Sequence, residues 1–82
     1  MTAETADQIL DILIAVVETD EVRTQPDLAL YDLQILDSMK TVELIVALER
    51  ELGVTISPAE FDRESWATPG KLVGDILRRL AK

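Results

Sequence analysis

Asp37-Ser38-Met39-Lys40-Thr41-Val42-Glu43-Leu44-Ile45-Val46-Ala47-Leu48-Glu49-Arg50-Glu51-Leu52-Gly53 reads as a helix with a marked start and a marked stop. Asp and Ser both cap helix N-termini, and Gly is the residue that most readily takes the left-handed turn that ends a helix. At about 100° per residue, Leu44, Ile45, Leu48 and Leu52 share one stripe, while Met39, Val42 and Val46 share another on nearly the opposite side. A bundle helix needs only one core face, so the second stripe is surplus. Glu43 and Glu49 flank it and Arg50 lies inside its arc, the mixture of a small apolar patch with a charged rim. Periodicity leaves two readings of it open: a surface on which a partner docks, or additional core beneath a folded-back loop.

Upstream, Ala6, Ile9, Leu10, Leu13, Val16 and Val17 recur at helical spacing, and Thr5 with Gln8 has the spacing of a capping box. This predicts a first helix of about four turns ending near Glu18. From Thr19 to Asp37 the period fails, Pro26 interrupts, and Leu28, Leu30, Tyr31, Leu33, Ile35 and Leu36 are scattered among polar residues. A connection this long is uncommon unless it is functional or pinned by its own apolar anchors. Downstream, Ser57-Pro58-Ala59-Glu60 combines an N-cap, a Pro at the first helical position and a capping-box Glu, opening a short third helix. Thr68-Pro69 repeats the cap-plus-Pro signal, and Leu72, Val73, Ile76, Leu77 and Leu80 form the apolar stripe of a last helix. The expected fold is all-α: one domain over 1–82, four helices, a long first loop and a short third helix.

Composition fits that reading and excludes several functions. Hydrophobic residues make up 48% of 82, with one Phe, one Tyr and one Trp, so the core is expected to be built mainly from Leu, Ile, Val and Ala. Sixteen acidic against eight basic residues give a net charge of -8, which repels nucleic acid and favours partners with basic patches. There is no Cys, so neither a disulfide nor a thiolate metal site exists, and thioester chemistry needs a thiol from elsewhere. No apolar run approaches a membrane span and the first residues carry acids rather than a basic leader, so the expected location is cytoplasmic and the expected state a monomer.

Ser38 invites a chemical reading beyond a cap. Nucleophilic catalysis needs a base, and the chain has no His, which removes the Ser-His-Asp arrangement and its relatives. As a covalent attachment point Ser38 makes better sense, because a phosphodiester there would sit at a helix N-terminus, where the dipole and free N–H groups favour an anion. Asp37 opposes that charge locally.

Leu36-Asp37-Ser38-Met39-Lys40-Thr41-Val42-Glu43-Leu44 resembles the phosphopantetheine attachment motif of acyl and peptidyl carrier proteins, in which Asp-Ser-Leu/Met opens the second helix and Glu-Leu follows on it. The resemblance runs through helix order, acidity and size, and implies an acyl-carrier-like bundle that is not itself an enzyme. It makes Ser38 the residue carrying 4'-phosphopantetheine, with Asp37 helping a phosphopantetheinyl transferase engage. Met39, Val42, Glu43, Val46 and Glu49 become the partner-docking residues on the surplus stripe and its rim. Lys40 departs from the family's small or acidic residue and puts a positive charge next to the arm.

Glu60-Phe61-Asp62-Arg63-Glu64-Ser65-Trp66-Ala67-Thr68-Pro69 is similar to the third-helix region of D-alanyl carrier proteins. That implies an ATP-dependent D-alanine ligase as loading partner, D-alanine held as a thioester, and delivery through an acceptor enzyme, a membrane-bound one included, to a cell-wall polymer. Core packing alone would also account for Phe61 and Trp66. Two alternatives stay open here: an acyl carrier of fatty-acid, polyketide or nonribosomal peptide synthesis, and a non-catalytic interaction module in which Ser38 is only a cap.

Overall fold

The computed structural model describes residues 3–57 and 61–81. Its elements are helix α1 (Ala3–Val17), a single turn α2 (Glu21–Thr24), helix α3 (Ser38–Leu52), a 3-10 turn (Arg63–Trp66) and helix α4 (Pro69–Leu80). No strand occurs among the described residues. α1 packs against α3 and α4, and the 3-10 turn packs on α4.

α1 begins at Ala3, so Thr5 and Gln8 lie inside the helix and not at its cap, contrary to the capping-box spacing. Its inward face buries Ile9, Ile12, Leu13 and Val17. The helix stops because Glu18 turns left-handed (φ 61) while its N–H still reaches the Ile14 carbonyl at 2.7 Å. A non-glycine residue in that conformation is strained by about 1–2 kcal/mol.

The connection from 19 to 37 holds more structure than its pattern suggests. α2 is too short to show a period; Arg23 on it pairs with Asp7 and Asp11 of α1, and Val22 is buried. Further on, the chain closes on itself: the N–H groups of Ile35 and Leu36 both donate to the Leu30 carbonyl, at 2.8 and 3.0 Å, with Gln34 in a left-handed conformation between. Leu30 and Leu36 are fully buried anchors. Two long-range bonds tie the loop down, from Leu30 N to Ala67 O (2.9 Å) and from Gly70 N to Pro26 O (3.0 Å). A Cβ at Gly70 would stand 3.2 Å from that same Pro26 oxygen, so glycine is what allows the close approach.

α3 keeps closely to its sequence signals. Thr41, Leu44 and Leu48 are buried, Ile45 and Leu52 half-buried, and Gly53 ends the helix at φ 72. Beyond it Val54 and Ile56 return to the core. Of the Ser57-Pro58-Ala59-Glu60 start signal, Pro58, Ala59 and Glu60 lie outside the described residues. The next element among the described residues is a 3-10 turn, with Asp62 capping it through Glu64 N. α4 starts as read, with Thr68 accepting from Lys71 N and Pro69 in the first turn.

Trp66 is completely buried, in edge-to-face contact with Phe61 (4.8 Å, 72°). Its Nε1–H donates to Asp75 Oδ2 at 2.9 Å, and Arg79 Nε donates to the same oxygen at 2.9 Å, while Arg78 pairs with Oδ1. Burial pushes the Asp75 carboxyl up, but the bonds from Arg79, Trp66 and Arg78 more than offset this and hold it below the ordinary carboxylate value. This buried group fixes the 3-10 turn to α4, and with it Phe61 and Arg63 beside α3.

Candidate functional site

The start of α3 separates two roles that the dipeptide Asp37-Ser38 leaves mixed. Asp37 is the N-cap: its backbone is extended, its carboxylate accepts from Lys40 N at 2.8 Å, and its carbonyl accepts from Thr41 N at 2.8 Å. Ser38 is the first helical residue, exposed, and its hydroxyl has no hydrogen-bond partner among the described residues. Reading both residues as caps is thus corrected to Asp37 alone. Buried Leu36 fixes the chain just before them, so the hydroxyl is held outward on an anchored stem.

Ser38 borders a cavity of about 300 Å³ whose lining also includes Tyr31, Thr41, Val42, Ile45, Phe61 and Arg63. Tyr31 comes from the loop, Phe61 and Arg63 from around the 3-10 turn, and the others from α3. The hydroxyls of Tyr31 and Thr41 share a hydrogen bond at 2.7 Å, and the Arg63 guanidinium lies 4.5 Å from the Tyr31 ring centroid. Burial raises the Tyr31 phenol above its ordinary value, against the lowering pull of Thr41 and Arg63, so it stays protonated at neutral pH.

On the outer face of α3 the surplus stripe stands in solvent: Met39 is 74% exposed, Val42 55% and Val46 51%. The loop does not fold over it. Glu43 and Glu49 are exposed on its rim, Glu49 receiving a 3.4 Å bond from the Thr55 hydroxyl. Leu33 in the loop is also exposed (58%), an apolar surface residue that no helical period could single out. Lys40 does not stand next to Ser38 as a free charge. Its Nζ donates to the Val16 carbonyl at 3.5 Å, reaching the C-terminal end of α1, whose last turn has no basic residue of its own.

Among the described residues no group of His, Cys, Asp or Glu is arranged to hold a metal, and no helix is long and apolar enough to cross a membrane. What the geometry offers is a scaffold: an exposed hydroxyl without a structural task at a helix start, bordering a hollow of mixed polarity and on the same helix as an apolar strip with acidic edges.

The comparison with known sequences agrees with that class. The family described as phosphopantetheine attachment site matches residues 7–76. Proteins called D-alanyl carrier protein are similar over most of the chain. That of Bacillus velezensis is 41% identical over 69 residues, covering 84% of this chain and 88% of its own. That of Staphylococcus saprophyticus is 41% identical over 70 residues (85% and 90%), and that of Staphylococcus xylosus 38% over 77 (94% and 97%). The chain therefore belongs to the phosphopantetheine attachment site family, carrier proteins that are non-catalytic and bear a covalently attached 4'-phosphopantetheine. The exposed, unbonded hydroxyl of Ser38 and the unpartnered Ser38 and Met39 N–H groups of the first turn fit such a group.

Proposed function

We propose that residues 1–82 act as one carrier domain, that Ser38 is the residue that takes the arm, and that the cargo is an aminoacyl group, D-alanine, destined for a cell-wall polymer. The observation that carries this is the freed hydroxyl of Ser38: Asp37 does the capping, so Ser38 stands at the helix start with no bond to break when it is modified. D-alanine rests on the likeness to the D-alanyl carrier proteins.

The arm supplies the thiol that this Cys-free chain lacks, and holds the acyl group on it as a thioester. The chain's own residues present and steer. Met39, Val42 and Val46 form the apolar strip that a phosphopantetheinyl transferase, an ATP-dependent D-alanine ligase and an acceptor enzyme would cover in turn. Glu43 and Glu49 give the acidic rim that draws basic partners together quickly without holding them long. Asp37 caps α3 and faces the transferase's metal or basic side chains.

Incubation of the apo-protein with coenzyme A, magnesium and a broad-specificity phosphopantetheinyl transferase, followed by intact-mass measurement, tests the assignment. A gain of one phosphopantetheine on wild type and none on Ser38→Ala is expected; no gain with an active transferase returns the chain to an interaction module. Holo-protein offered alanine with a D-alanine ligase, or malonyl groups with a malonyl transferase, then separates aminoacyl from fatty-acyl or polyketide carriage. Val42→Ala and Glu43→Lys should slow D-alanine loading while leaving the unfolding midpoint in place, and unaltered loading kinetics would remove the docking assignment.

A further inference from the structure

Arg63 is set apart from the other described cations. Arg23, Arg50, Lys71, Arg78 and Arg79 each pair with a carboxylate, and Lys40 is spent on the Val16 carbonyl. Arg63 makes no ion pair among the described residues, in a chain of net charge -8. It lies instead against the Tyr31 ring, 4.5 Å from the centroid, in the lining of the cavity that Ser38 also lines. Tyr31 is itself fixed by its 2.7 Å bond to Thr41, one turn along α3 from Ser38. A guanidinium oriented by a ring face, without a carboxylate partner and sharing a cavity with a phosphate-bearing hydroxyl, has the geometry of an anion partner.

Resting on Ser38 as the attachment point, we propose that Arg63, held by Tyr31, is a positioning residue that pairs with the phosphodiester on Ser38 and biases the arm toward this cavity. The charge balance supports it. The anion on Ser38 would otherwise face the Asp37 carboxylate, with Lys40 directed away toward α1; Arg63 is the cation in the cavity lining that can compensate. Val42, Ile45 and Phe61 complete the same hollow, so the arm meets an apolar wall next to its counter-charge.

NMR on the apo- and holo-proteins tests this, with intact mass confirming the arm. The Arg63 Nε–H resonance is expected to shift when the arm is added, and to move back toward its apo position in 1 M salt, where screening falls to about 3 Å. The phosphorus resonance of the holo-protein should move in Arg63→Gln toward that of a phosphopantetheinyl serine in an unstructured peptide, with Arg63→Lys restoring part of the difference. Tyr31→Leu, which removes the supporting ring, should give the same displacement as Arg63→Gln. Absence of any mass gain would overturn the attachment reading and this proposal together. A normal mass gain with an unmoved Arg63 resonance, or an unmoved phosphorus signal in a well-folded Arg63→Gln holo-protein, would overturn this proposal alone. The apo-to-holo comparison uses wild type, so it decides the matter even if a variant folds poorly.

Discussion

Replacing Asp75 with Ala is expected to remove a large share of the domain's stability while leaving Ser38 and its helix untouched. Three bonds end on this carboxylate, and they are unequal. Trp66 is wholly buried, so its Nε1–H would be left without an acceptor, at about 1–3 kcal/mol. The Arg79 side chain is 30% exposed, so its bond adds about 0.5–1 kcal/mol, while Arg78, at 68% exposure, adds almost nothing. The sum is about 1.5–4 kcal/mol, against a total stability of about 4–12 kcal/mol for a chain of this length. The melting temperature should fall by about 6–32 °C. Urea unfolding followed by the fluorescence of Trp66, the chain's single tryptophan, reads the change directly. A double-mutant cycle with Trp66→Phe, monitored by far-UV circular dichroism, isolates the pair. A coupling of about 1.5–3 kcal/mol is expected for a bond to a charged acceptor. Coupling under about 0.5 kcal/mol would refute the view that this bond holds the 3-10 turn to α4.

The two residues opening α3 should respond in opposite ways: Asp37→Ala costs about 1 kcal/mol through the lost cap, whereas Ser38→Ala stays within about 0.5 kcal/mol of wild type by urea titration, because its hydroxyl holds nothing. Glu18→Gly should stabilise by about 0.5–1.5 kcal/mol, relieving a left-handed glutamate and removing an acid from the C-terminal end of α1; an unchanged or lower midpoint would contradict the strain argument. Asp75 has a folded value below its unfolded one, so its contribution is complete above about pH 4 and is lost as pH falls through the folded value. The stability difference between wild type and Asp75→Asn should therefore narrow below pH 4, and a constant difference would show that this carboxyl is not held down.

Where local chemistry decides the backbone, the fold is legible from the residues. Gly53, Thr68-Pro69 and the Leu44/Leu48 stripe act within one or two turns, and α3 and α4 lie where those signals put them. α2 is held by Arg23 reaching back to α1, and the 29–36 loop by carbonyls and N–H groups that belong to any residue type, so neither leaves a periodic trace. The 3-10 turn depends on Trp66 meeting Asp75 nine positions away on another element, which spacing does not disclose. The site shows the same division. The attachment motif and surplus stripe are visible in the sequence. The assignment of the cap to Asp37, Lys40's reach to α1 and Arg63's place beside the cavity required the chain to be folded.

The bonds from Leu30 to Ala67 and from Gly70 to Pro26 also set an order of events along the growing polypeptide. Their partners lie far apart in sequence, so closing them is entropically slow and cannot begin until the start of α4 has been made. A chain still emerging from the ribosome would present Ser38 on a stem whose loop lacks those two ties. Any partner that recognises the docked loop together with α3 would thus encounter its surface only on finished molecules, and the fold would act as its own checkpoint on which copies are charged.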